Sequence, residues 1–339
     1  MSEAPVMPVA TPDGSADDAP APVDPNVRAP LAFLNGDSPP SPQWFKDAIA
    51  QQPERGFVQS GGVPIETLTW GERGAPGLLF LHGNGAHADW WSFIAPYFAS
   101  THRCTAMSWS GMGRSGWREG YDFKTFEAEA LDVAQATGLF DGPTKPVVIA
   151  HSFGGSIAAF LAARQGKRFA SVIILDAGVR PPAMRWKGPP RGAVPNRVYP
   201  TLEAALGRFR RAPSQPCENL YLLDYIARES LRPAPMDAAA PNGEQGWTWR
   251  FDPMIWSKMT WESRQRDQEA ELAAAKCPIA FIYGERSGIM NAETAAYTKA
   301  HAPPGTPVFA IPQADHHLLL DQPIALISAL RALLAGWAR

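Results

Sequence analysis

The chain has 339 residues, a net charge of −2 and 45% hydrophobic residues, which is enough to build a sizeable buried core. The near-neutral charge argues against nucleic acid or an anionic membrane as the main partner, and no 18-residue apolar run exists to span a membrane. The first residues lack the pattern of a secretory signal and the three cysteines are scattered, so we expect reduced thiols and a cytoplasmic location.

The N-terminal segment, residues 1–38, is rich in alanine, proline and aspartate and has few aromatic residues. Such a composition buries too little apolar surface to offset the entropy lost on ordering, so we predict a disordered tail. Folded sequence is expected to begin near Trp44 with a short helix. Two apolar stretches, Phe57–Ser60 and Ile65–Trp70, flank a Gly-Gly pair and predict a β-hairpin.

Further along the chain, short apolar runs alternate with helical patterns. Predicted strands cover Leu78–Leu81, Arg103–Met107, Val147–Ala150, Val172–Leu175, Ile279–Tyr283 and Val308–Ile311. Predicted helices cover Phe123–Thr137, Gly154–Arg164 and Ile324–Trp337. This alternation indicates an α/β fold with a mostly parallel sheet covered by helices on both faces.

The pattern breaks down after the sixth predicted strand, where prolines and arginines crowd residues 180–200. Two helices are predicted, at Leu202–Phe209 and Leu220–Arg228, and five of the twelve tryptophans lie in this segment. An insertion here would stand at the carboxyl edge of the sheet, where open α/β folds bind ligands. We therefore predict a mainly helical cap over residues 178–263, inserted into a core formed by residues 39–177 and 264–339.

The strongest motif is the stretch from Val147 to Gly155, VVIAHSFGG, which reads as a strand, a sharp turn and a helix with Ser152 at the apex. A serine hydroxyl is a poor nucleophile unless it is exposed beside a base, and such a turn projects it above the sheet. Ala150 replaces the first glycine of the usual G-x-S-x-G pattern and is still small. Ser152 is the predicted nucleophile.

A second motif, HGNG, follows the strand that ends at Leu81. Its loop frees backbone N–H groups, and we predict that those of Asn84 and Phe153 form an oxyanion hole. His82 is expected to fix this loop by hydrogen bonds, and we place His82 and Gly83 next to the substrate.

Two adjacent histidines, His316 and His317, follow the last predicted strand, from which a side chain can reach a serine above the sheet. His316 stands seven residues before Pro323 and is the predicted base. His317 is expected to line or support the pocket. No further ligands cluster near this pair in the sequence, so no metal site and no cofactor are expected.

Together these motifs, with the SGMGRS stretch beginning at Ser110, resemble the α/β-hydrolase family from about Trp44 to the C-terminus. The resemblance implies a nucleophile, an acid and a histidine in that chain order. It implies the serine branch that includes esterases, lipases, carbon–carbon bond hydrolases and cofactor-free perhydrolases. Relatives that use dehalogenase or epoxide-hydrolase chemistry carry aspartate at the elbow instead.

The acid of the triad departs from the family pattern. Ser287 occupies the position after the seventh strand where most members carry the aspartate, and Gly288 the position where some relatives carry it. Asp176, which ends the sixth strand, is the first candidate, because some relatives take the acid from that neighbourhood. Glu285 is the second candidate, and a serine–histidine pair without an acid is the remaining alternative.

These features predict a serine hydrolase that forms an acyl-enzyme on a small ester-like substrate with a hydrophobic or aromatic part. Trp90 and Trp186, with the other cap aromatics, suggest the apolar pocket, although core packing explains single tryptophans equally well. Two alternatives stay open at this point. One is hydrolysis of a carbon–carbon bond by the same residues, and the other is a ligand receptor without catalytic activity. The oligomeric state is not predicted.

Overall fold

The computed structural model describes residues 25–184 and 195–337. Ten strands are present in this part of the chain: β1 (Glu54–Ser60), β2 (Val63–Trp70), β3 (Gly77–Leu81), β4 (Arg103–Met107), β5 (Val147–His151), β6 (Ser171–Leu175), β7 (Leu231–Pro235), β8 (Gln245–Trp249), β9 (Ile279–Gly284) and β10 (Val308–Ile311). The α-helices are α1 (Pro25–Arg28), α2 (Gln43–Ala50), α3 (Phe123–Ala136), α4 (Phe153–Gln165), α5 (Leu202–Leu206), α6 (Leu220–Glu229), α7 (Trp261–Arg264), α8 (Gln268–Ala273), α9 (Ala292–His301), α10 (Leu318–Asp321) and α11 (Pro323–Trp337).

Eight strands form one sheet in the order β1-β2-β4-β3-β5-β6-β9-β10. The β1–β2 and β2–β4 pairs are antiparallel, and the remaining pairs are parallel. The parallel strands are apolar on both faces because helices cover both faces. This confirms the predicted α/β class, the predicted hairpin and all six predicted strands of the parallel series.

The core has two layers, one on each face of the sheet. Successive residues of β3 point to opposite faces, so Leu78 and Phe80 join one layer while Leu79 and Leu81 join the other. One layer packs under α2, α6 and α11, and the other packs under α3 and α4. The sheet is thereby held rigidly, and its carboxyl edge presents the loops that carry the predicted site.

The folded part begins earlier than the predicted tail boundary at residue 38. Leu31 is buried in the core, and a guanidinium nitrogen of Arg228 donates to the carbonyl oxygen of Gly36 across 2.6 Å. Residues 31–36 are therefore held to the fold by the burial of Leu31 in the core and by the hydrogen bond from Arg228 on α6. Residues 1–24 of the predicted tail lie outside the described residues.

The segment between β6 and β9 contains the two predicted helices as α5 and α6, with α5 ending at Leu206 rather than at Phe209. It also contains an antiparallel pair, β7 and β8, that the sequence did not predict. The pair was missed because β7 carries two prolines, which normally argue against a strand. The assignment of residues 178–263 as a cap over the site stays a prediction.

Helix α9 was also not predicted. The three cysteines are free thiols, as the sequence led us to expect. Within the part of the chain that the structure describes, no helix combines the length and the apolar character needed to cross a bilayer.

Candidate active site

Ser152 lies at the sharp turn between β5 and α4, with φ 53° and ψ −117°. Its side chain is partly exposed, whereas the residues on either side of it are buried. The turn brings the two backbones so close that a Cβ atom on Gly154 would lie 2.6 Å from the carbonyl oxygen of His82. A glycine is therefore required there, and the local sequence supplies the strained turn that exposes the hydroxyl.

The structure brings Ser152, His316 and Asp176 together from three loops at the carboxyl edge of the sheet. Nε2 of His316 lies 3.0 Å from Oγ of Ser152, and Nδ1 of His316 lies 2.7 Å from Oδ1 of Asp176. His316 is 3% exposed and Asp176 is 0% exposed. A buried carboxylate that accepts the Nδ1 proton leaves the Nε2 lone pair facing the serine hydroxyl, which is the tautomer a general base requires.

The carboxylate of Asp176 is held by two more donors. The backbone N–H of Gly284 donates to Oδ2 across 2.7 Å, and the hydroxyl of Ser287 donates to Oδ1 across 2.6 Å. These bonds give both carboxylate oxygens hydrogen-bond partners in a place without access to water. Glu285, the second candidate acid, is exposed, and its carboxylate accepts a hydrogen bond from the N–H of Gln313 instead.

The predicted oxyanion loop passes directly against the nucleophile. A Cβ atom on Gly83 would lie 3.1 Å from Cβ of Ser152, and Asn84 follows in an exposed turn. Phe153 is the first residue of α4, where backbone N–H groups have no partner within the helix. The assignment of these two N–H groups to an oxyanion hole stays a prediction.

His82 fixes this loop through backbone partners on both sides of its ring. Nδ1 lies 2.7 Å from the carbonyl oxygen of Gly83, and the N–H of Trp109 donates to Nε2 across 3.0 Å. Burial lowers the pKa of His82 to about 3, so the ring is neutral. Both ring nitrogens of His82 have backbone partners, so neither is free to bind a substrate. The prediction that His82 lies beside the substrate stays a prediction.

His317 and Trp90 lie side by side near the triad, with their ring centroids 5.6 Å apart. Both are buried, and the indole N–H of Trp90 makes no hydrogen bond to any residue that the structure describes. Burial and the neighbouring His316 and His151 lower the pKa of His317 well below its usual value, against the opposing effect of the Pro213 carbonyl. Their roles toward a substrate stay predictions, and Trp186 lies outside the described residues.

Sequence reasoning missed the part played by His151, although it stands inside the elbow motif. This side chain is 2% exposed, and its Nε2 lies 2.9 Å from the carbonyl oxygen of His316. Burial lowers the pKa of His151 to about 3. The sequence did not show that His151 lies beside the His316–His317 pair, because it comes from a strand 165 residues away in the chain.

Sequence reasoning also missed a charge network in which the exposed Arg55 pairs with two buried carboxylates. Arg55 forms ion pairs with Glu66 and with Asp89, in the second case at 2.6 Å. Glu66 accepts a hydrogen bond from Ser108, and the hydroxyl of Ser108 accepts one from the N–H of Ala88. The network holds the turn at Ala88 and Asp89, which follows the loop that carries Asn84. The sequence offered one sign of this network, because Glu66 is a charged residue within the otherwise uncharged strand β2.

Comparison with known sequences shows the family to which the chain belongs. A model described as the alpha/beta hydrolase family matches residues 78–330. The chain belongs to the alpha/beta hydrolase family. It is 26% identical over 301 residues to the protein named esterase Rv0045c of Mycobacterium tuberculosis, covering 83% of this chain and 89% of that protein. It is also 26% identical over 200 residues to lipase LipV of the same organism, covering 58% and 72% of the two chains.

The solved structures agree on the fold of this α/β-hydrolase. The thioesterase domain from the curacin biosynthetic pathway superposes with a TM-score of 0.66 at 20% identity, over 82% of this chain and 99% of that domain. Family membership and the relatives named esterase and lipase identify the chain as a hydrolase.

Proposed function

We propose that this α/β-hydrolase is a serine esterase that cleaves carboxylic esters through an acyl-enzyme. The observation that carries the proposal is the unbroken set of hydrogen bonds from Ser152 through His316 to Asp176, at 3.0 Å and 2.7 Å. The names esterase and lipase of two relatives support the same substrate class.

In the proposed mechanism, Oγ of Ser152 attacks the ester carbonyl carbon while Nε2 of His316 takes its proton. The carbon–oxygen bond to the alcohol breaks as His316 returns that proton to the leaving oxygen. Water then attacks the acyl-enzyme by the same route and releases the acid. Asp176 holds the Nδ1 proton and stabilises the imidazolium that forms in each half of the reaction.

The backbone N–H groups of Asn84 and Phe153 are proposed to stabilise the negative oxygen of each tetrahedral intermediate. Loss of one such donor typically costs ~2.7–4 kcal/mol of transition-state stabilisation. The close passage of Gly83 against Ser152 supports this, because it brings the loop to the attacking oxygen. The buried Trp90 and the proposed cap over residues 178–263 supply apolar surface for a hydrophobic or aromatic acyl group.

The test combines a fluorophosphonate probe with turnover of short p-nitrophenyl esters. We expect the wild-type protein to be labelled and to turn over an ester, and Ser152→Ala to lose labelling and several orders of magnitude in kcat. Ser156→Ala, one turn along α4, is the matched control and should keep both. Labelling at another serine would contradict the proposal. Labelling of Ser152 without turnover of any ester would contradict the esterase function and favour hydrolysis of a carbon–carbon bond by the same residues.

A further inference from the structure

The SGMGRS stretch that follows β4 has no part in the mechanism described above. It forms a tight turn in which Met112 stands between Gly111 and Gly113, whose φ angles are 80° and 57°. A Cβ atom on Gly111 would lie 2.5 Å from the hydroxyl oxygen of Tyr121. A Cβ atom on Gly113 would lie 2.3 Å from Oγ of Ser108. Both glycines are therefore required, and they restrict the turn to one arrangement around Met112.

The side chain of Met112 reaches the oxyanion loop. The backbone N–H of Gly85 donates a hydrogen bond to Sδ of Met112 across 3.3 Å. Met112 is 1% exposed, whereas Gly85 is exposed, and a Cβ atom built on Gly85 would meet no atom within 4 Å. The buried sulfur therefore supplies an acceptor to a surface turn that has little packing of its own. Asn84, whose N–H is the proposed oxyanion donor, immediately precedes Gly85.

Met112 and His82 hold the two peptide units that flank the Cα atom of Asn84. The first unit joins Gly83 to Asn84, and its carbonyl oxygen lies 2.7 Å from Nδ1 of His82. The C=O and N–H groups of a trans peptide point in opposite directions, so this contact turns the N–H of Asn84 away from His82. The second unit joins Asn84 to Gly85, and its N–H is held by Met112. With both units held, the direction of the N–H of Asn84 is fixed.

The segment between β6 and β9 holds the backbone of Met112 in turn. Met112 forms an antiparallel bridge with Phe251, and the N–H of Asp252 donates to the carbonyl oxygen of Gly111 across 2.7 Å. Asp252 is 1% exposed, and its carboxylate pairs with Nζ of Lys258 at 2.9 Å. The sulfur is therefore carried by a backbone that the inserted segment also restrains, and a group that positions another must itself be fixed in this way.

We propose that Met112 is a positioning residue of this esterase: its thioether holds the N–H of Gly85 and so keeps the N–H of Asn84 directed at the negative oxygen. The inference rests on the proposed function, because it concerns the oxyanion hole of that reaction. Donors that stabilise a developing charge act best when they are in place before the charge forms. A thioether is a weak acceptor, so we expect its loss to loosen the loop and to leave the fold intact.

The test replaces Met112 by leucine, which has a similar volume and no acceptor. Met107→Leu on β4 is the matched control, because Met107 is buried in the same core layer and its sulfur accepts no hydrogen bond within the described part of the chain. We expect kcat of Met112→Leu on a p-nitrophenyl ester to fall roughly 5- to 50-fold, which is part of the ~100- to 1000-fold lost when an oxyanion donor is removed. KM should stay within about twofold, since the ester oxygen carries no full charge before attack. The control should match the wild type.

Two further measurements separate this inference from the proposed function. The rate constant for fluorophosphonate labelling of Ser152 should fall by a similar factor in Met112→Leu, because the phosphonyl oxygen also gains negative charge, and this measurement needs no ester turnover. Hydrogen–deuterium exchange should become faster in the peptide that contains Gly85 and should be unchanged in Met107→Leu.

Circular dichroism checks that both variants are folded, and Met112→Ile replaces Met112→Leu if the latter is not. In a folded variant, an unchanged kcat, an unchanged exchange rate at Gly85, or a raised KM with an unchanged kcat overturns the role of Met112. Absence of both labelling and turnover in the wild type would contradict the proposed function, and the exchange measurement would still decide whether Met112 holds the loop.

Discussion

The hydroxyl of Ser287 donates a hydrogen bond to Oδ1 of Asp176 across 2.6 Å, and the same oxygen faces Nδ1 of His316. Ser287 follows β9 at the position where the α/β-hydrolase pattern usually has its acid. In this chain the usual position supplies a donor, and the end of the neighbouring strand β6 supplies the carboxylate. The hydroxyl of Ser287 is itself fixed, because the N–H groups of Ile289 and Met290 donate to it at 3.1 Å.

Replacing Asp176 by asparagine should lower kcat by at least ~100-fold, because the side-chain shape is kept while the charge opposite the imidazolium is lost; the comparable change in a serine protease costs about 10⁴-fold. Steady-state kinetics on a p-nitrophenyl ester measures this. Glu285→Gln is the control and should lose less than about tenfold. An active Asp176→Asn enzyme, or a larger loss in the control, would show that the acid lies elsewhere.

The acid should be movable between the two contacting positions. In the wild type, Oδ1 of Asp176 contacts both the hydroxyl of Ser287 and Nδ1 of His316. The double variant Asp176→Asn with Ser287→Asp therefore places a carboxylate beside the position that faces His316. We expect kcat to recover at least ~10-fold over Asp176→Asn alone, because the charge opposite the imidazolium returns. The comparison is made at equal folded fraction. No recovery in a folded double variant would mean that position 287 cannot direct a carboxylate to Nδ1.

The two adjacent histidines should differ in their effect on turnover. His316→Ala removes the proposed base and should lower kcat by several orders of magnitude, whereas His317→Ala removes a ring that touches no triad proton. Rates are compared on the same ester after both variants are shown to be folded. A larger loss in His317→Ala would reverse the assignment of the base.

Stability should fall as the pH drops below about 6.5, because burial holds the pKa of His82 and of His151 at about 3. The unfolded chain takes up protons there that the folded chain does not, so each histidine lowers the free energy of unfolding by about 1.4 kcal/mol per pH unit. The carboxyl of Asp321 opposes this, since burial raises its pKa to about 6.

Urea unfolding at pH 7.5 and pH 5.5 of the wild type and of His82→Gln isolates one histidine. The loss of stability between the two pH values should be about 1.4 kcal/mol smaller in the variant. Glutamine keeps one donor and one acceptor toward the partners of His82. An unchanged pH dependence would show that His82 takes up its proton over the same pH range in the folded and in the unfolded chain.

Two tryptophans between β6 and β9 should act differently on selectivity. Trp256 packs edge-on against Phe153 at 5.5 Å, next to the nucleophile, whereas Trp249 packs on Tyr199 and Phe209. We expect Trp256→Leu to change the ratio of kcat/KM between short and long acyl chains. Trp249→Leu should lower thermal stability with an unchanged ratio. Equal ratios in both variants would show that Trp256 only packs the fold.

The sheet and the elbow were predictable because their signals are local. The run from Val147 to Gly155 contains its own strand, turn and helix, and each parallel strand is a short apolar block. The position of Asp176 was also accessible, because it ends a strand whose neighbours in the sheet are fixed by the fold. The predicted ends of some elements differ from the observed ends by a few residues, as at the C-terminal end of α5.

The rest depends on contacts between distant segments. The approach of His151 to His317 joins a strand end to a loop near the C-terminus, and no spacing along the chain encodes it. Arg55 and Asp89 meet across 34 residues for the same reason. The pair formed by β7 and β8 was hidden because Pro233 and Pro235 lower the local β propensity, while pairing with β8 supplies the bonds that stabilise it.

Two residues of the proposed triad, Ser152 and Asp176, have positive φ angles, 53° and 47°. Aspartate and asparagine tolerate the left-handed region, whereas most other side chains lose about 1–3 kcal/mol there. The positive φ angle thus restricts which amino acids fit at position 176, independently of which of them can act as the acid. A screen of all substitutions at position 176 would therefore record two separate penalties, one on the amount of folded protein and one on the rate per folded molecule. Asparagine and glycine would both avoid the backbone penalty, and of the two only asparagine also keeps the shape of the side chain.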